Sequence, residues 1–98
     1  MAIAKVTGTF GATGQSDPVE LIGPFNITLS GTFAATVKLE RSFDAGVSWQ
    51  VVSKNSNGDE AAYSAPIGIK LEEWERGVKY RLNCTAYTSG TVNYRLSQ

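Results

Sequence analysis

Apolar and polar residues alternate with a period of two along most of the chain, the pattern of strands that bury one face. Turn-forming residues interrupt this alternation roughly every 8 to 12 positions, a spacing typical of small antiparallel folds. The pattern predicts an inward-facing set on several short strands: Phe25, Ile27, Leu29, Val37, Leu39, Trp49, Tyr80, Leu82, Tyr94 and Leu96. We expect these residues to form the core.

The number and length of the alternating runs predict an all-β fold of about seven or eight antiparallel strands. The chain has 98 residues, enough for one core, so we expect a single β-sandwich domain over residues 1–98, Ig-like or jelly-roll-like. Residues 1–17 contain a Gly/Ser/Thr-rich stretch and are expected to form a flexible N-terminal arm and loop. Residues 71–76 resemble one helical turn.

Composition limits the chemistry available to the chain. Nine basic residues balance nine acidic ones, which argues against a nucleic-acid-binding protein. There is no histidine, and a single cysteine, Cys84, excludes an intrachain disulfide. Cys84 lies in the inward phase of a strand, where an inert buried thiol is expected. We therefore predict no enzyme activity, no metal site and no cofactor.

No apolar run is long enough for a signal peptide or a membrane span, so no membrane partner is expected. The densest acidic cluster is Glu72, Glu73 and Glu75, the only candidates for carboxylate catalysis. Nothing in the sequence brings their carboxyl groups together. We expect a solvated turn there.

One segment, from Ser42 to Trp49, matches the Asp-box pattern S-x-D-x-G-x-x-W. In such a hairpin Asp44 accepts backbone N–H groups, Gly46 takes a positive φ, and Trp49 packs back over the loop. Sialidase propellers carry repeated Asp-boxes, whereas this chain has one copy. The motif therefore predicts a stabilised turn rather than an activity.

A second segment resembles the tyrosine corner of fibronectin type III and related sandwiches. Trp74 is followed by Gly77 and then by Tyr80 at the start of an alternating run. By this resemblance Trp74 fills the core, and the Tyr80 hydroxyl donates to an upstream backbone group. Arg76 departs from the pattern, since proline is common at that position.

The order of motifs over residues 23–97 resembles small virion-associated proteins of tailed bacteriophages. The resemblance rests on the segment G-T-x-x-x-x-V-x-L-E-R-S-x-D from Gly31, on G-V-x-Y-R-L from Gly77, and on S-G-T-V-x-Y from Ser89. Ala45 replaces the first of two glycines that are commoner in that family. The resemblance implies a virion structural protein without cofactor, either a capsid decoration or cement protein or a head–tail accessory.

Such a protein would be made in the host cytoplasm, localise to the virion and contact other virion proteins in many copies. We expect a homo-oligomer or lattice, because Thr91–Gln98 carries one charge in eight residues and would form a weakly guarded edge strand. The candidate interface residues are Phe10, Thr91, Asn93 and Arg95. The alternative function is a carbohydrate- or receptor-binding module of a phage adhesion apparatus.

Overall fold

The alternating segments form ten strands in the computed structural model, which describes residues 4–53 and 57–98. In chain order these strands are β1 (Lys5–Phe10), β2 (Gly14–Gln15), β3 (Val19–Glu20), β4 (Gly23–Ser30), β5 (Phe33–Ser42), β6 (Gln50–Val51), β7 (Ala62–Tyr63), β8 (Ile67–Glu73), β9 (Lys79–Gly90) and β10 (Val92–Ser97).

The strands belong to two antiparallel sheets, and the prediction of an all-β sandwich is confirmed. The first sheet has the order β1-β10-β4-β8. The second is built on the long β5–β9 pair, with β2 and β3 beside β9 and with β6 and β7 beside β5. The strand count exceeds the predicted seven or eight because β2, β3, β6 and β7 are two-residue strands.

The core lies between the two sheets and contains most of the predicted side chains. Eight of the ten predicted core residues are buried, whereas Trp49 and Tyr94 are half-buried. Tyr94 still packs inward, because its ring stacks on Phe10 with the centroids 4.6 Å apart. Phe10 is itself only 6% exposed, so it is a core residue and not the interface residue expected from the sequence.

The N-terminal segment is a strand where a flexible arm was expected. Lys5–Phe10 pairs along its whole length with β10, and residues 14–15 pair with β9. Ser16 then joins the second sheet, because its backbone N–H donates to the Leu82 carbonyl and its hydroxyl accepts the Leu82 N–H. The expected arm is therefore wrong for these residues, and residues 1–3 lie outside the described part.

The pairing of β1 also changes which strands lie at the edges. β10 is flanked by β1 and β4, so the prediction of an exposed edge over Thr91–Gln98 is wrong. The edges of the first sheet are instead β1 and β8. The helical turn expected over residues 71–76 is also absent, because β8 continues through Glu73.

Candidate functional site

Three connections meet at one end of the sandwich. Gly23 at the start of β4 pairs with Glu73 at the end of β8, and Ser42 at the end of β5 pairs with Lys79 at the start of β9. Glu20 of β3 also pairs with Lys79, and residues 21–22 lead from it directly to Gly23 in the other sheet, so the connections at residues 21–22, 43–49 and 74–78 lie at the same end of the sandwich. We call this region the turn end.

The Ser42–Trp49 connection is held by hydrogen bonds from within its own sequence. The buried Ser42 hydroxyl accepts the backbone N–H groups of Asp44 and Gly46, at 3.3 and 2.8 Å, and donates to Asp44 Oδ1 at 2.7 Å. Asp44 Oδ1 in turn accepts the Ser48 backbone N–H at 2.9 Å. The Trp49 indole N–H closes the turn by donating to the Gly46 carbonyl at 3.2 Å. Each of these side chains thus satisfies a backbone group of the turn.

The turn also contains a carboxylate with a lowered pKa and two residues with positive φ. Hydrogen bonds lower the pKa of Asp44 from 3.8 to about 2, and those from Ser48 contribute more than the one from Ser42. Gly46 has φ 92°, which glycine adopts without steric cost. Ala45 has φ 61°, a left-handed conformation that residues with a Cβ seldom adopt. The geometry is that of a turn held in one conformation by its own side chains.

Trp49 packs on the outer surface of the second sheet and not in the core. Its ring lies under the Arg81 guanidinium, 4.3 Å from the ring centroid. Arg81 Nε donates to the buried Glu40 carboxylate at 2.7 Å, and the Asn83 side-chain amide donates to the same carboxylate at 3.1 Å. The indole therefore covers an ion pair, which explains why it is only half-buried.

At the same end, a buried carboxylate links the two sheets. Glu73 on β8 accepts the Tyr80 hydroxyl of β9 at 2.6 Å and Arg41 Nη1 of β5 at 3.3 Å. Its other oxygen accepts the Glu75 backbone N–H at 2.9 Å. We call Arg41, Glu73 and Tyr80 the sheet clip. The expected corner is thus corrected, since the Tyr80 hydroxyl binds a carboxylate of the opposite sheet instead of an upstream backbone group.

The protonation states of the sheet clip are well separated. Burial opposes ionisation of Glu73, but hydrogen bonds from Tyr80 and the Glu75 N–H, together with the Arg41 charge, lower its pKa overall. Burial and the bond to Glu73 raise the pKa of Tyr80 to about 12. The carboxylate is therefore ionised and the phenol neutral at pH 7, so the Tyr80 hydroxyl donates a charge-assisted hydrogen bond to Glu73. Glu73 is 5% exposed, so a solvated turn was the wrong expectation for it.

The residue after Glu73 has the opposite orientation. Trp74 is 83% exposed, and the prediction that it fills the core is wrong. Alternation explains the error, because Glu73 occupies the inward position at the end of β8 and the next side chain must point outward. Gly77 takes φ 80° in the connection that follows, as expected of a turn glycine.

Trp74 is one of several exposed large apolar side chains on the connections of the turn end. All four large apolar side chains that are exposed among the described residues lie on its connections: Ile22, Phe43, Val47 and Trp74, which are 43, 52, 85 and 83% exposed. Ile22 and Val47 were not singled out from the sequence. A Trp flanked by Glu73 and Glu75 was the available signal, since charged neighbours are unusual around a core residue.

A cavity of about 360 Å³ opens beside the sheet clip, between the edge strands β6 and β8. Its walls are partly aromatic and partly polar, formed by Phe25, Arg41, Phe43, Gln50, Val51, Val52, Ser53, Leu71, Glu72 and Tyr80. Arg41 lies over the Phe43 ring at 4.9 Å from the centroid, so its charge is shared between that ring and Glu73. The cavity is large enough for a small ring-shaped ligand.

The remaining candidate interface residues lie away from the turn end. Asn93 and Arg95 are exposed on the outer face of β10, and Thr91 is exposed in the connection that precedes this strand. Since β10 is paired on both sides, their backbone is not open to strand addition. They do not form one surface with Phe10, which is buried.

Within residues 4–53 and 57–98, no group of three or more acidic or cysteine side chains is placed to hold a metal ion. The same residues include no helix of the length and apolarity that crossing a membrane requires. Comparison of the chain with protein-family models, with curated proteins and with solved structures finds no match.

Proposed function

We propose that this protein is a non-enzymatic structural component of a tailed-bacteriophage virion, either a capsid decoration or cement protein or a head–tail accessory. The observation that carries the proposal is the gathering of Ile22, Phe43, Val47 and Trp74 at one end of the sandwich. Large apolar side chains, two of them aromatic, that are exposed at one end of a domain are typical of protein–protein interfaces. The resemblance over residues 23–97 supports the assignment to a virion.

The turn end is suited to binding a protein because it is rigid. Internal hydrogen bonds hold the Ser42–Trp49 turn, and the sheet clip fixes the end of β8 directly before Trp74. A surface that is already ordered loses little conformational entropy when it binds. The partners in this proposal are other virion proteins, neither nucleic acid nor membrane, and the protein acts in many copies.

The test is add-back of purified protein to phage particles grown without its gene. We expect wild-type protein to bind the particles and cryo-electron microscopy to show it on the capsid or at the head–tail junction. Val47→Lys adds a charge to the turn end at a side chain that is 85% exposed, so folding is preserved. We expect it to weaken binding by about tenfold or more.

The matched control is Thr32→Lys, which adds the same charge at an exposed position beyond the opposite ends of the strands. This control should bind particles as the wild type does. If wild-type protein fails to bind, the virion assignment is wrong. If Val47→Lys binds as well as Thr32→Lys, docking does not use the turn end.

The cavity favours a second candidate, a carbohydrate- or receptor-binding module of an adhesion apparatus. Aromatic rings beside planar polar groups suit sugars, and here Phe43 lies near Gln50 and Glu72. The test is titration of isotope-labelled protein with host-surface glycans, followed by nuclear magnetic resonance. Shifts that cluster at this cavity and disappear in Gln50→Ala, but not in Gln15→Ala on the far strand β2, would favour this candidate.

A further inference from the structure

The strand β8 is an unprotected edge of the first sheet. It pairs with β4 in one unbroken register from Gly23↔Glu73 to Leu29↔Ile67 and has no partner on its other side among the described residues. None of its seven residues is proline. Half of its backbone N–H and C=O groups therefore point away from the sheet, as a template for another strand.

The side chains of β8 divide into two sets. Ile67, Ile69 and Leu71 face the interior but remain half-exposed, because no strand covers them from the side. Lys70 and Glu72 lie on the solvent face and carry opposite charges two positions apart. An added strand would bury the apolar set and would have to match the charged set.

A second copy of β8 matches the charged set when the two strands run antiparallel with Leu71 opposite Leu71. In this register Lys70 of each copy lies opposite Glu72 of the other, which places two oppositely charged cross-strand pairs on the solvent face. The neighbouring register, with Lys70 opposite Lys70, would place like charges together. Charge therefore favours the register with Leu71 opposite Leu71 over this neighbouring one.

The same register explains two other features of the strand. It places Trp74 of each copy opposite Gly68 of the other. Space above Gly68 is open, since no atom lies within 4 Å of the position that a Cβ would occupy. An aromatic ring can cover such a glycine on a neighbouring strand. Pairing would thus cover Trp74, which is 83% exposed in the single chain.

We propose that the protein forms a two-fold symmetric dimer through β8, which joins the two first sheets into one continuous sheet. The other edge of that sheet offers no such match, because Lys5 is the only charged residue of β1 and has no acidic counterpart. The dimer deepens the proposed function by naming a partner copy. It takes Trp74 out of the docking surface of the proposed function, and particle docking then uses the connection at residues 43–49, which carries Phe43 and Val47.

The test is sedimentation equilibrium of the full chain over a wide range of concentration. Wild-type protein should dimerise reversibly. Lys70→Glu and Glu72→Lys each place like charges opposite one another, and each should raise the dissociation constant about tenfold. An equimolar mixture of the two variants restores both opposite-charge pairs and should associate as tightly as the wild type. Lys5→Glu on β1 is the matched control and should dimerise normally.

Each result of this experiment tests either the dimer itself or its register. A wild type that stays monomeric at every concentration overturns the dimer, as does normal dimerisation of both charge variants. A mixture that fails to recover affinity overturns the register. A fluorescence measurement gives an independent readout, because dilution of the dimer should shift the tryptophan emission to longer wavelength in the wild type but not in Trp74→Phe.

These results are also distinguishable from the particle-binding results. Val47→Lys should dimerise as the wild type does while losing particle binding. A monomer that still binds particles would remove the dimer and leave the virion assignment intact. A dimer that binds no particle would remove the assignment and leave the dimer intact.

Discussion

The sheet clip predicts a measurable difference between two tyrosines whose hydroxyl groups make equally short hydrogen bonds. Tyr80 donates to the buried Glu73 carboxylate at 2.6 Å, whereas Tyr87 donates to the Gly90 carbonyl at 2.6 Å at an exposed site. Tyr80→Phe keeps the ring and removes only the hydroxyl. The difference between the two Phe variants therefore isolates the effect of burial and of the charged acceptor.

The expected loss of stability in Tyr80→Phe depends on the hydrogen-bond partners that Glu73 keeps. A hydrogen bond to a charged group contributes about 1.5 to 3 kcal/mol. After Tyr80→Phe, Glu73 keeps the Glu75 N–H and the partly solvent-screened Arg41, whose side chain is 39% exposed. We therefore expect a loss near the lower part of that range, about 2 kcal/mol. Tyr87→Phe should cost less than about 0.5 kcal/mol, as is usual at a surface position.

Urea unfolding followed by circular dichroism measures both variants, and a double-mutant cycle with Glu73→Gln tests the pairing. The coupling energy between Tyr80→Phe and Glu73→Gln should be about 1 kcal/mol or more. Equal losses for Tyr80→Phe and Tyr87→Phe, or a coupling energy near zero, would refute the assignment of Glu73 as the link between the sheets.

The same pair sets an alkaline limit to stability. The pKa of Tyr80 is raised from 10.0 to about 12 in the folded protein, so folding favours the neutral phenol. Its contribution is complete below pH 10 and is lost as the pH rises from 10 through 12. The free energy of unfolding of the wild type should therefore fall over that interval more steeply than that of Tyr80→Phe.

Three further predictions concern single sites. The pKa of Asp44 falls from 3.8 to about 2 on folding, so its stabilising contribution is present above pH 3.8 and is lost as the pH falls towards 2; acid titration of unfolding should be shallower for Asp44→Asn. A Cβ at Gly90, where φ is 88°, would collide with the Thr32 carbonyl oxygen, so Gly90→Ala should lower the melting temperature while Gly11→Ala, with open space, should not. Burial raises the pKa of the Cys84 thiol, so a thiol reagent should label it only after unfolding in urea.

The sheets were predictable because their information is local. A side-chain period of two assigns Phe25, Ile27 and Leu29 to one face whatever the strand pairs with, and all three are buried. Which strands pair with each other cannot be deduced from the residues of one strand alone. The strand β10 was taken for an edge because its own residues carry few charges, but β1, more than eighty positions earlier in the chain, covers it.

The wrong prediction of a flexible arm in place of β1 has a physical cause. Gly8 lowers the intrinsic strand preference of the segment, and composition alone therefore favours a loop. In the folded protein this glycine accommodates the Tyr94 ring, since a Cβ at Gly8 would lie 2.8 Å from Cζ of that ring. A residue that weakens the local signal is thus required by a contact with a distant strand.

Trp74 and Glu73 were assigned to each other's environments for a similar reason. Hydrophobicity placed the indole inside and the carboxylate outside, but burial of large apolar residues is a one-way tendency. A carboxylate can be buried when hydrogen-bond donors surround it, and the donors of Glu73 come from Arg41, 32 positions earlier, and from Tyr80 in the opposite sheet. Sequence spacing gives no indication of such a meeting.

The position of the sheet clip connects the stability of the fold with both proposed surfaces. Glu73 is the last residue of β8, so the hydrogen bonds that join the sheets hold the end of this edge strand in place. They also set the direction of Trp74, the next residue along the chain. A hydrophobic residue at this position could pack between the sheets, but it would leave the Tyr80 hydroxyl and the Glu75 N–H without their acceptor. The buried Glu73 carboxylate therefore orients the exposed β8 edge and Trp74. This gives a structural reason for burying a charged residue in a protein that we propose has no catalytic function.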